Sequence, residues 1–553
     1  MPLISGRSAF LSILRDEGIT HLFGNPGTTE LPIMHALSEF PEINYILGLQ
    51  EAIVVAMADG YSRATGKLSA CNVHVTPGLG NAIGAIYNAK FVGSPIIITA
   101  GQQEQGHGLM EPQLYGPLIR MAEPLVKWAI EVTRLEDLPR IMRRAAKVAL
   151  APPSGPVFIS LPGDILNTEK NIDLGGVTRI NDNVVPDDQT ISKIIARIIK
   201  ATNPMIISGH EVACTNAFDE IQKFAEIIGA AVYQQTVTHG SHYPSEHENF
   251  MGFLPKNQSQ VKKILDEYDL LVCVGSDILR MSVWSEDESL PKNMSILHIG
   301  LRDWEIGKNY QTELAIYGHV KSSLKKINEK FLAMNNSQFL NSAKSRIEKI
   351  KNKNWSFNKK NLISATQEYA STVPIRPEWL MMKISENLPK KYVVVEEGLV
   401  STRTLLKYLP IKKHNDFYGL ASGGIGWAVS GAIGVSIANP DKTIITIIGD
   451  GSSMYGIQSL WTAAHYNLDI VYIIANNYGY RIIKERLEDF HKNKNFIGMD
   501  FKNPSIDFVK LSESMGVPST RVKDPDKIAS AIKDASNSKG PHLIDIIVDN
   551  GYD

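Results

Sequence analysis

Residues 443–452 read Thr443-Ile444-Ile445-Thr446-Ile447-Ile448-Gly449-Asp450-Gly451-Ser452, and 24 residues then lie between Gly451 and Asn476-Asn477. The apolar run before Gly449 predicts a buried parallel strand, and the apolar residues 470–475 predict the next one. Residues 456–466, between the two runs, have the spacing and length of a helix. Parallel strands joined by a crossover end at the same edge of a sheet. The pattern therefore predicts that Asp450 and Asn477 lie together at the carboxyl ends of two strands, where open α/β sheets bind ligands.

The two polar side chains predicted at this edge are oxygen ligands. A carboxylate and an amide carbonyl suit Mg2+, which also binds phosphate oxygens. Gly451 lets backbone N–H groups approach a phosphate at the start of a helix. As a bare tripeptide, Gly449-Asp450-Gly451 is equally compatible with a plain turn. The spacing to Asn477 and the two flanking strands favour a metal and phosphate site.

Composition describes an ordinary protein of several domains. The 553 residues exceed what one core usually holds, so two to four domains are expected. The formal net charge of −1 gives no reason to expect nucleic acid or a membrane surface as a partner. We see no signal peptide and no apolar run of about 20 residues, and therefore expect a cytoplasmic protein. The three cysteines lack metal-ligand spacing and are expected to be buried thiols in a reducing compartment.

Strand-like and helix-like segments alternate along three regions of similar size. Residues 1–170, 186–340 and 371–553 each predict a doubly wound parallel sheet, so the fold class is α/β with three such domains. The polar residues 171–185 are expected to form a linker. Residues 341–370, which are rich in lysine and asparagine, are expected to form a connecting helix and strap.

The spacing from Gly449-Asp450-Gly451 to Asn476-Asn477 resembles the diphosphate–Mg2+ signature of thiamine diphosphate enzymes. The resemblance implies a pyrimidine-binding, a central and a pyrophosphate-binding domain in that order. It also implies thiamine diphosphate and Mg2+ as cofactors, with Asp450, Asn477 and the backbone carbonyl of Gly479 as metal ligands.

The resemblance also gives a role to Glu51, which follows a predicted strand and begins a predicted helix. Glu51 matches the glutamate that hydrogen-bonds the aminopyrimidine ring; taken alone, a glutamate at a helix start is more often a partner of the helix dipole or a capping carboxylate. Ile425 would hold the two cofactor rings folded together, while Leu399 and Val400 lack hydroxyls and could offer only backbone contacts. The full set of implied cofactor contacts is Pro26, Glu51, Gly398, Leu399, Val400, Gly424, Ile425, Gly451, Ser452 and Tyr480. The motif Gly78-Leu79-Gly80 has no acidic partner at the position expected for a ribose contact, which argues against a nicotinamide cofactor.

Further motifs indicate a branch within the family. Residues 23–32, Phe23-Gly24-Asn25-Pro26-Gly27-Thr28-Thr29-Glu30-Leu31-Pro32, resemble the N-terminal signature of benzoylformate decarboxylases, as do residues 49–52 and 124–128. The match places Thr28 where these enzymes contact the substrate carboxylate. His74 matches their proton-transferring histidine, and an imidazole titrates near neutral pH. A histidine after a strand is otherwise more often structural.

The chain departs from that branch at two places. Ser282 stands where a second catalytic histidine is expected. His107, in a glycine-rich loop, is a candidate replacement, although a histidine in such a loop is more often a plain loop residue. Residues 481–486, which read Arg481-Ile482-Ile483-Lys484-Glu485-Arg486, replace part of the expected aromatic wall. These departures leave the substrate side chain open.

We therefore predict non-oxidative decarboxylation of a 2-oxo acid to an aldehyde, with possible carboligation. Acetolactate synthase-like or benzaldehyde lyase-like formation of 2-hydroxy ketones is the alternative, and a non-catalytic cofactor-binding protein is a third reading. In this family the two halves of the site come from different subunits, so the resemblance implies a homodimer or homotetramer with active sites at subunit interfaces. No motif indicates FAD or a nucleotide in the middle domain.

Overall fold

The computed structural model describes residues 3–282 and 284–552. The outer ends predicted for the first and third domains, residues 1 and 553, lie outside the described residues. Within that part, the strands are β1 Leu3–Ser5, β2 His21–Gly24, β3 Asn44–Leu47, β4 Ser69–Val73, β5 Ile96–Gln102, β6 Ala129–Glu131, β7 Val157–Pro162, β8 Glu169–Asn171, β9 Pro204–Ser208, β10 Ala231–Gln234, β11 Phe250–Phe253, β12 Leu270–Val274, β13 Ser295–Gly300, β14 Leu314–Tyr317, β15 Tyr392–Glu397, β16 Phe417–Gly419, β17 Thr443–Gly449, β18 Ile470–Asn476, β19 Ser519–Val522 and β20 His542–Ile547.

The α-helices of the same part of the chain are α1 Gly6–Asp16, α2 Leu31–Ala36, α3 Glu51–Thr65, α4 Val75–Val92, α5 Leu118–Ala122, α6 Leu138–Leu150, α7 Gly163–Asn167, α8 Asp188–Ile199, α9 His210–Cys214, α10 Phe218–Ile228, α11 Gln258–Leu265, α12 Val320–Ala333, α13 Ser337–Lys351, α14 Trp355–Thr366, α15 Pro377–Glu386, α16 Leu405–Tyr408, α17 Trp427–Ala438, α18 Asp450–Ser453, α19 Ser459–His465, α20 Arg481–His491, α21 Phe508–Ser514 and α22 Ile528–Asn537.

The strands form three parallel six-stranded sheets with flanking helices, which confirms the predicted fold class. Their strand orders are β3-β2-β4-β5-β7-β6, β11-β10-β9-β12-β13-β14 and β16-β15-β17-β18-β20-β19. The short strands β1 and β8 pair separately and antiparallel. The sheets fall within the three predicted ranges, but the domain bounds themselves stay predictions.

Each sheet has a point where the chain reverses its direction of winding. The reversal lies between β2 and β4 in the first sheet, between β9 and β12 in the second, and between β15 and β17 in the third. A crevice opens at the carboxyl ends of the strands on either side of such a point, because the loops leave in opposite directions. These three crevices hold most of the residues discussed below.

Helices α3 and α17 pack closely and join the first and third domains within one chain. A Cβ atom added at Gly434 of α17 would lie 1.9 Å from the carbonyl oxygen of Met57 in α3, so only glycine permits this approach. The indole Nε1 of Trp427 donates a 2.7 Å hydrogen bond to the buried Asp59 carboxylate. The largest hydrophobic cluster accordingly contains residues of both domains.

Some local predictions differ from the structure. The helix expected over 456–466 is shorter, Ser459–His465, and the connecting region contains two helices, α13 and α14. Cys71 and Cys273 are buried within strands, as expected, but Cys214 is exposed. The prediction was wrong for Cys214 because this residue lies at the exposed end of the short helix α9 and not within a strand.

Candidate active site

The third sheet brings the two predicted metal-ligating side chains together. Strands β17 and β18 pair in parallel with Gly449 opposite Ala475, so Asp450 and Asn477 emerge at one edge. The amide of Gly479 donates to Asp450 Oδ2 at 3.0 Å and to Asn477 Oδ1 at 3.1 Å. Since both oxygens bond to one N–H group, they adjoin each other, as an oxygen-ligated cation requires.

The Asp450 carboxylate is buried and poorly compensated by the protein alone. Burial raises its pKa to about 7, although hydrogen bonds from the amides of Gly451 and Gly479 act in the opposite direction. A buried carboxylate of this kind is stabilised in its charged form by a cation. The oxygen donors and the uncompensated charge therefore fit a Mg2+ ion.

The loop around Gly451 has no room for a side chain at that position. A Cβ atom at Gly451 would lie 2.6 Å from Cε1 of Tyr480, whose ring packs edge-on against Phe501. Ser452 is buried, and its hydroxyl hydrogen-bonds the Glu397 carboxyl group. Gly451, Ser452 and Tyr480 thus lie where a diphosphate would meet the start of α18.

Glu397, at the end of β15, positions the loop that contains Gly424 and Ile425. Its carboxyl oxygens accept hydrogen bonds from the amides of Gly426, at 2.5 Å, and Ala428, at 2.7 Å. Burial raises the pKa of Glu397 to about 8. The loop is fixed from the first domain as well, because a Cβ atom at Gly424 would lie 3.1 Å from the carbonyl oxygen of Gly84.

The segment 398–400 lies at the same reversal point of the third sheet. The amide of Gly398 donates to Glu396 at 2.7 Å. Leu399 has a φ of 48°, which is rare for a residue with a side chain, and it is exposed, whereas Val400 is buried. Strained non-glycine conformations are concentrated at functional sites. Tyr478, between the two predicted metal ligands Asn477 and Gly479, is strained similarly with a φ of 59°.

Glu51 is the first residue of α3, and two asparagines bind its carboxylate. Asn25 Nδ2 donates to Oε1 and Asn81 Nδ2 donates to Oε2, both at 3.0 Å. The side chain of Gln50 caps the helix by accepting from the Ala52 amide at 2.7 Å. Because Gln50 caps the helix, Glu51 is not needed as its capping residue.

His74 follows β4 directly, at the reversal point of the first sheet. Its Nδ1 lies 2.7 Å from Glu30 Oε2 and 3.2 Å from the hydroxyl of Thr29. A Cβ atom at Gly27 would lie 2.1 Å from the same Nδ1, so the glycine in this motif makes room for the imidazole. Val75, the next residue, has a φ of 43°, which is exceptional for a β-branched side chain and marks a strained site.

Glu30 is a residue that the sequence analysis quoted within a motif but did not single out. It is fully buried, and it also accepts hydrogen bonds from the amides of Gly27 at 2.9 Å and Gly101 at 2.8 Å. As an acceptor, Glu30 keeps a proton on His74 Nδ1, which leaves Nε2 of this 21% exposed side chain for another partner. The position of Glu30 two residues after Thr28, within the motif of residues 23–32, could have indicated its role from the sequence.

Pro26 and Thr28 are exposed on the surface of the chain. Thr28 lines a cleft that it shares with Gln103 and His107, so the structure brings His107 near the predicted substrate-contacting residue. Ser282, in the middle domain, is exposed. The locations of His107 and Ser282 do not decide which of them takes the place of the second catalytic histidine, so this stays a prediction.

Two half-sites result, one in each outer domain. The partners of the Glu51 carboxylate belong to the first domain, whereas Asp450 and Asn477 bond within the third. Among the hydrogen bonds of the described residues, none links Glu51 to Asp450 or Asn477.

Comparison with known proteins assigns the family. Three family models match the chain: the N-terminal thiamine pyrophosphate-binding domain over residues 4–113, the central domain over 191–327, and the C-terminal thiamine pyrophosphate-binding domain over 400–546. The chain therefore belongs to the thiamine pyrophosphate (thiamine diphosphate) enzyme family, and its cofactor-binding domains indicate thiamine diphosphate.

Relatives of two kinds resemble the chain over its whole length. Benzoylformate decarboxylase of Pseudomonas aeruginosa is 28% identical over 543 residues, covering 98% of each chain. The acetolactate synthase large subunit of Buchnera aphidicola is also 28% identical, over 567 residues, covering 100% of this chain and 96% of its own. The solved structure of a 4-hydroxybenzoylformate decarboxylase from Rhodococcus jostii RHA1 superposes with a TM-score of 0.87 at 28% identity, covering 99% of both chains.

Membrane-spanning character is absent from the helices of the described residues. Within residues 3–282 and 284–552, none is both long and apolar enough to cross a bilayer.

Proposed function

We propose that this chain is a thiamine diphosphate- and Mg2+-dependent decarboxylase that converts a 2-oxo acid into an aldehyde. The observation that carries the proposal is the placement of His74 at the reversal point of the first sheet, where its Nδ1 lies 2.7 Å from Glu30 and 3.2 Å from the hydroxyl of Thr29, the residue after Thr28. The resemblance of residues 23–32 to benzoylformate decarboxylases and the similarity to such enzymes support it.

Each residue group would have its own task. When bound, thiamine diphosphate supplies an electron sink that allows a 2-oxo acid to lose carbon dioxide. Asp450, Asn477 and the Gly479 carbonyl would hold Mg2+, and the Glu51 carboxyl group would hydrogen-bond the pyrimidine ring. His74 Nε2 would give or take a proton at the substrate oxygen.

The substrate contacts would come from Thr28 in the first domain and from helix α20 in the third. The Thr28 hydroxyl would donate to the substrate carboxylate, and its methyl group narrows the space beside it. Helix α20, which follows the metal loop, is charged: Lys484 is buried and pairs with Asp500 at 2.5 Å, and Arg403 pairs with Glu485 at 2.7 Å. This polar helix is the reason to leave the substrate side chain open rather than to assign an aryl group.

Carboligation is the second candidate reaction. Ser282 is exposed and cannot act as a base at neutral pH, so the middle domain offers no imidazole at that position. The similarity to acetolactate synthases supports the same alternative. With fewer proton-transfer groups, protonation and release of the aldehyde would be slower. A second carbonyl compound would then have more time to react.

A second subunit would complete the site. Among the described residues, no hydrogen bond links Glu51 to Asp450 or Asn477. Three of the predicted site residues, Pro26, Thr28 and Leu399, are exposed on the single chain. We propose a homodimer, or a tetramer of two such dimers, in which the first domain of one subunit faces the third domain of the other.

A substrate panel tests the reaction. With thiamine diphosphate and Mg2+ supplied, we expect carbon dioxide and the matching aldehyde from at least one acid among benzoylformate, pyruvate and branched or hydroxylated 2-oxo acids, measured by gas release and chromatography. A parallel set with added aldehyde acceptor detects 2-hydroxy ketones. If ketones predominate in both sets, the carboligase alternative holds. If cofactor binds and neither product forms, the chain is a cofactor-binding protein without turnover.

A further inference from the structure

Three histidines of the middle domain converge outside the candidate active site. His210 begins α9 directly after β9, while His239 and His242 lie in the loop after β10. Their ligand nitrogens all lie within 4.8 Å of one another. The group, called here the histidine cluster, sits at the reversal point of the second sheet, where open sheets form binding crevices.

The ring positions of the histidine cluster suit a small coordination sphere. The ring centroids are 4.7, 5.4 and 6.1 Å apart. Three imidazoles bound to one tetrahedral zinc ion at Zn–N distances near 2 Å have ring centres roughly 5 Å apart. Side-chain adjustments of less than about 1 Å would therefore bring the nitrogens to bonding distance.

Several nitrogens of the histidine cluster have no partner in the protein. Both ring nitrogens of His242 and Nε2 of His239 are buried without a hydrogen bond among the described residues. Burial of unpaired polar atoms is unfavourable, and native structures rarely leave several of them facing one another. A bound ligand would satisfy these nitrogens.

Neighbouring carbonyl groups set the protonation of two of the rings for metal binding. His239 Nδ1 lies 3.2 Å from the Val237 carbonyl, so Nδ1 carries the proton and Nε2 presents a lone pair. His210 likewise donates to the Val92 carbonyl. Burial lowers the pKa of His242 to about 3 and lowers those of His210 and His239, so all three rings are neutral at physiological pH.

A thiol lies next to the histidine cluster. Cys214 is four residues after His210 on α9, and its Sγ lies 3.1 Å from His210 Nε2. Cys214 is exposed, which gives an ion a route from solvent. Arg63 and Arg302 disfavour a second cation here. Burial raises the pKa of the Cys214 thiol to about 12, although the two arginines act in the opposite direction. Coordination to a metal ion would deprotonate the thiol and so remove one positive charge from the filled site.

We propose that His210, His239 and His242 bind a transition-metal ion of the Zn2+ type, with Cys214 as the fourth ligand. Nitrogen and sulfur donors in a four-coordinate arrangement select zinc over hard cations such as Mg2+. With four protein ligands the site is closed, so its role is structural.

The filled site would hold three domains together. Val92 and Arg63 belong to the first domain, and Arg63 donates both to the His239 carbonyl and, at 3.1 Å, to the Gly419 carbonyl of the third. The amide of Gly419 donates to the same His239 carbonyl at 3.0 Å. Metal binding would therefore stabilise the relative positions of all three domains.

The test uses the full-length protein saturated with thiamine diphosphate and Mg2+, so that the Asp450 site is occupied. After incubation with Zn2+ and dialysis against a weak chelator, we expect one zinc per chain by elemental analysis and a higher unfolding temperature. Co2+ in place of Zn2+ should give the intense visible absorption of a tetrahedral site with a sulfur ligand. Equal zinc retention by the wild type and by the His242→Phe variant would overturn the proposal.

His242→Phe is the informative variant because His242 makes no hydrogen bond from its ring. The replacement loses no such bond and should leave the metal-free protein folded, which circular dichroism checks. His298→Gln is the matched control, since His298 is buried in the same sheet but bonds to the Ser276 carbonyl. The control should retain zinc; if it loses zinc as His242→Phe does, the ion lies elsewhere. Cys214→Ser should keep weakened Co2+ binding and lose the sulfur-to-metal band.

Discussion

Replacing Glu51 by glutamine should lower kcat by roughly 10²–10⁴-fold, the usual range for losing a proton-transferring group. Asn25 and Asn81 each donate to one carboxylate oxygen, so the residue is held as an acceptor on both sides. Glutamine turns one acceptor into a donor facing an asparagine amide. We therefore expect unchanged folding or a loss of about 1–3 kcal/mol in the free energy of unfolding, far less than the effect on turnover.

The measurement for this variant is steady-state turnover at saturating thiamine diphosphate and Mg2+, with cofactor loading determined separately. Glu42→Gln is the control, because Glu42 is a surface residue of the same domain that pairs with the exposed Arg15. Wild-type turnover in a fully loaded Glu51→Gln protein would remove Glu51 from the site.

The substitution Asp450→Asn should weaken Mg2+-dependent binding of thiamine diphosphate by roughly 10²–10³-fold. The change keeps the size of the side chain and removes its charge, and loss of one partner from a buried charge pair costs about 3–5 kcal/mol. Calorimetric titration of the wild type and the variant, with Mg2+ and with chelator, gives the affinities. Asp469→Asn is the control, since Asp469 bonds Thr443 at the opposite edge of the sheet. An unaltered affinity in Asp450→Asn would be incompatible with the metal site.

The same substitution should alter how the stability of the cofactor-free protein depends on pH. Burial raises the pKa of Asp450 to about 7, against about 3.9 in an unfolded chain. The contribution of the protonated Asp450 carboxyl group to the free energy of unfolding is fully present below about pH 4 and is lost as the pH rises through about 7. Asparagine does not ionise, so the variant keeps its stability over this range. The difference in free energy of unfolding between the variant and the wild type should therefore grow in favour of the variant from pH 4 to 7, by a few kcal/mol at most. Saturating Mg2+ and cofactor should abolish that advantage, because the cation stabilises the charged carboxylate.

The sequence predicted the framework of the fold because the hydrophobic runs are strong and their turns are marked. The residues 443–448 and 470–475 lie in β17 and β18, and the parallel pairing of these strands places Asp450 beside Asn477 as expected. The three parallel sheets followed from the same alternation of strands and helices. Helix ends were predicted less well, as at α19, because short turns before a helix have no periodicity.

Contacts between distant parts of the chain could not be predicted in the same way. Glu397 ends an apolar strand, and nothing near it in sequence shows that it binds the amides of Gly426 and Ala428. The left-handed conformation of Val75 runs against the preference of a β-branched residue, and only surrounding packing can impose it. The histidine cluster was missed because His210 follows a different strand from His239 and His242, so no short stretch of sequence contains all three.

We propose that Glu51 and Asp450 act in the same active site but come from different subunits. Co-expression of Glu51→Gln and Asp450→Asn chains with different tags, followed by purification through both tags, isolates the mixed oligomer. The mixed dimer should contain one site with both substitutions and one wild-type site, and should show at least about a quarter of wild-type turnover. Turnover no higher than that of the two parent variants would show that the halves do not combine across subunits.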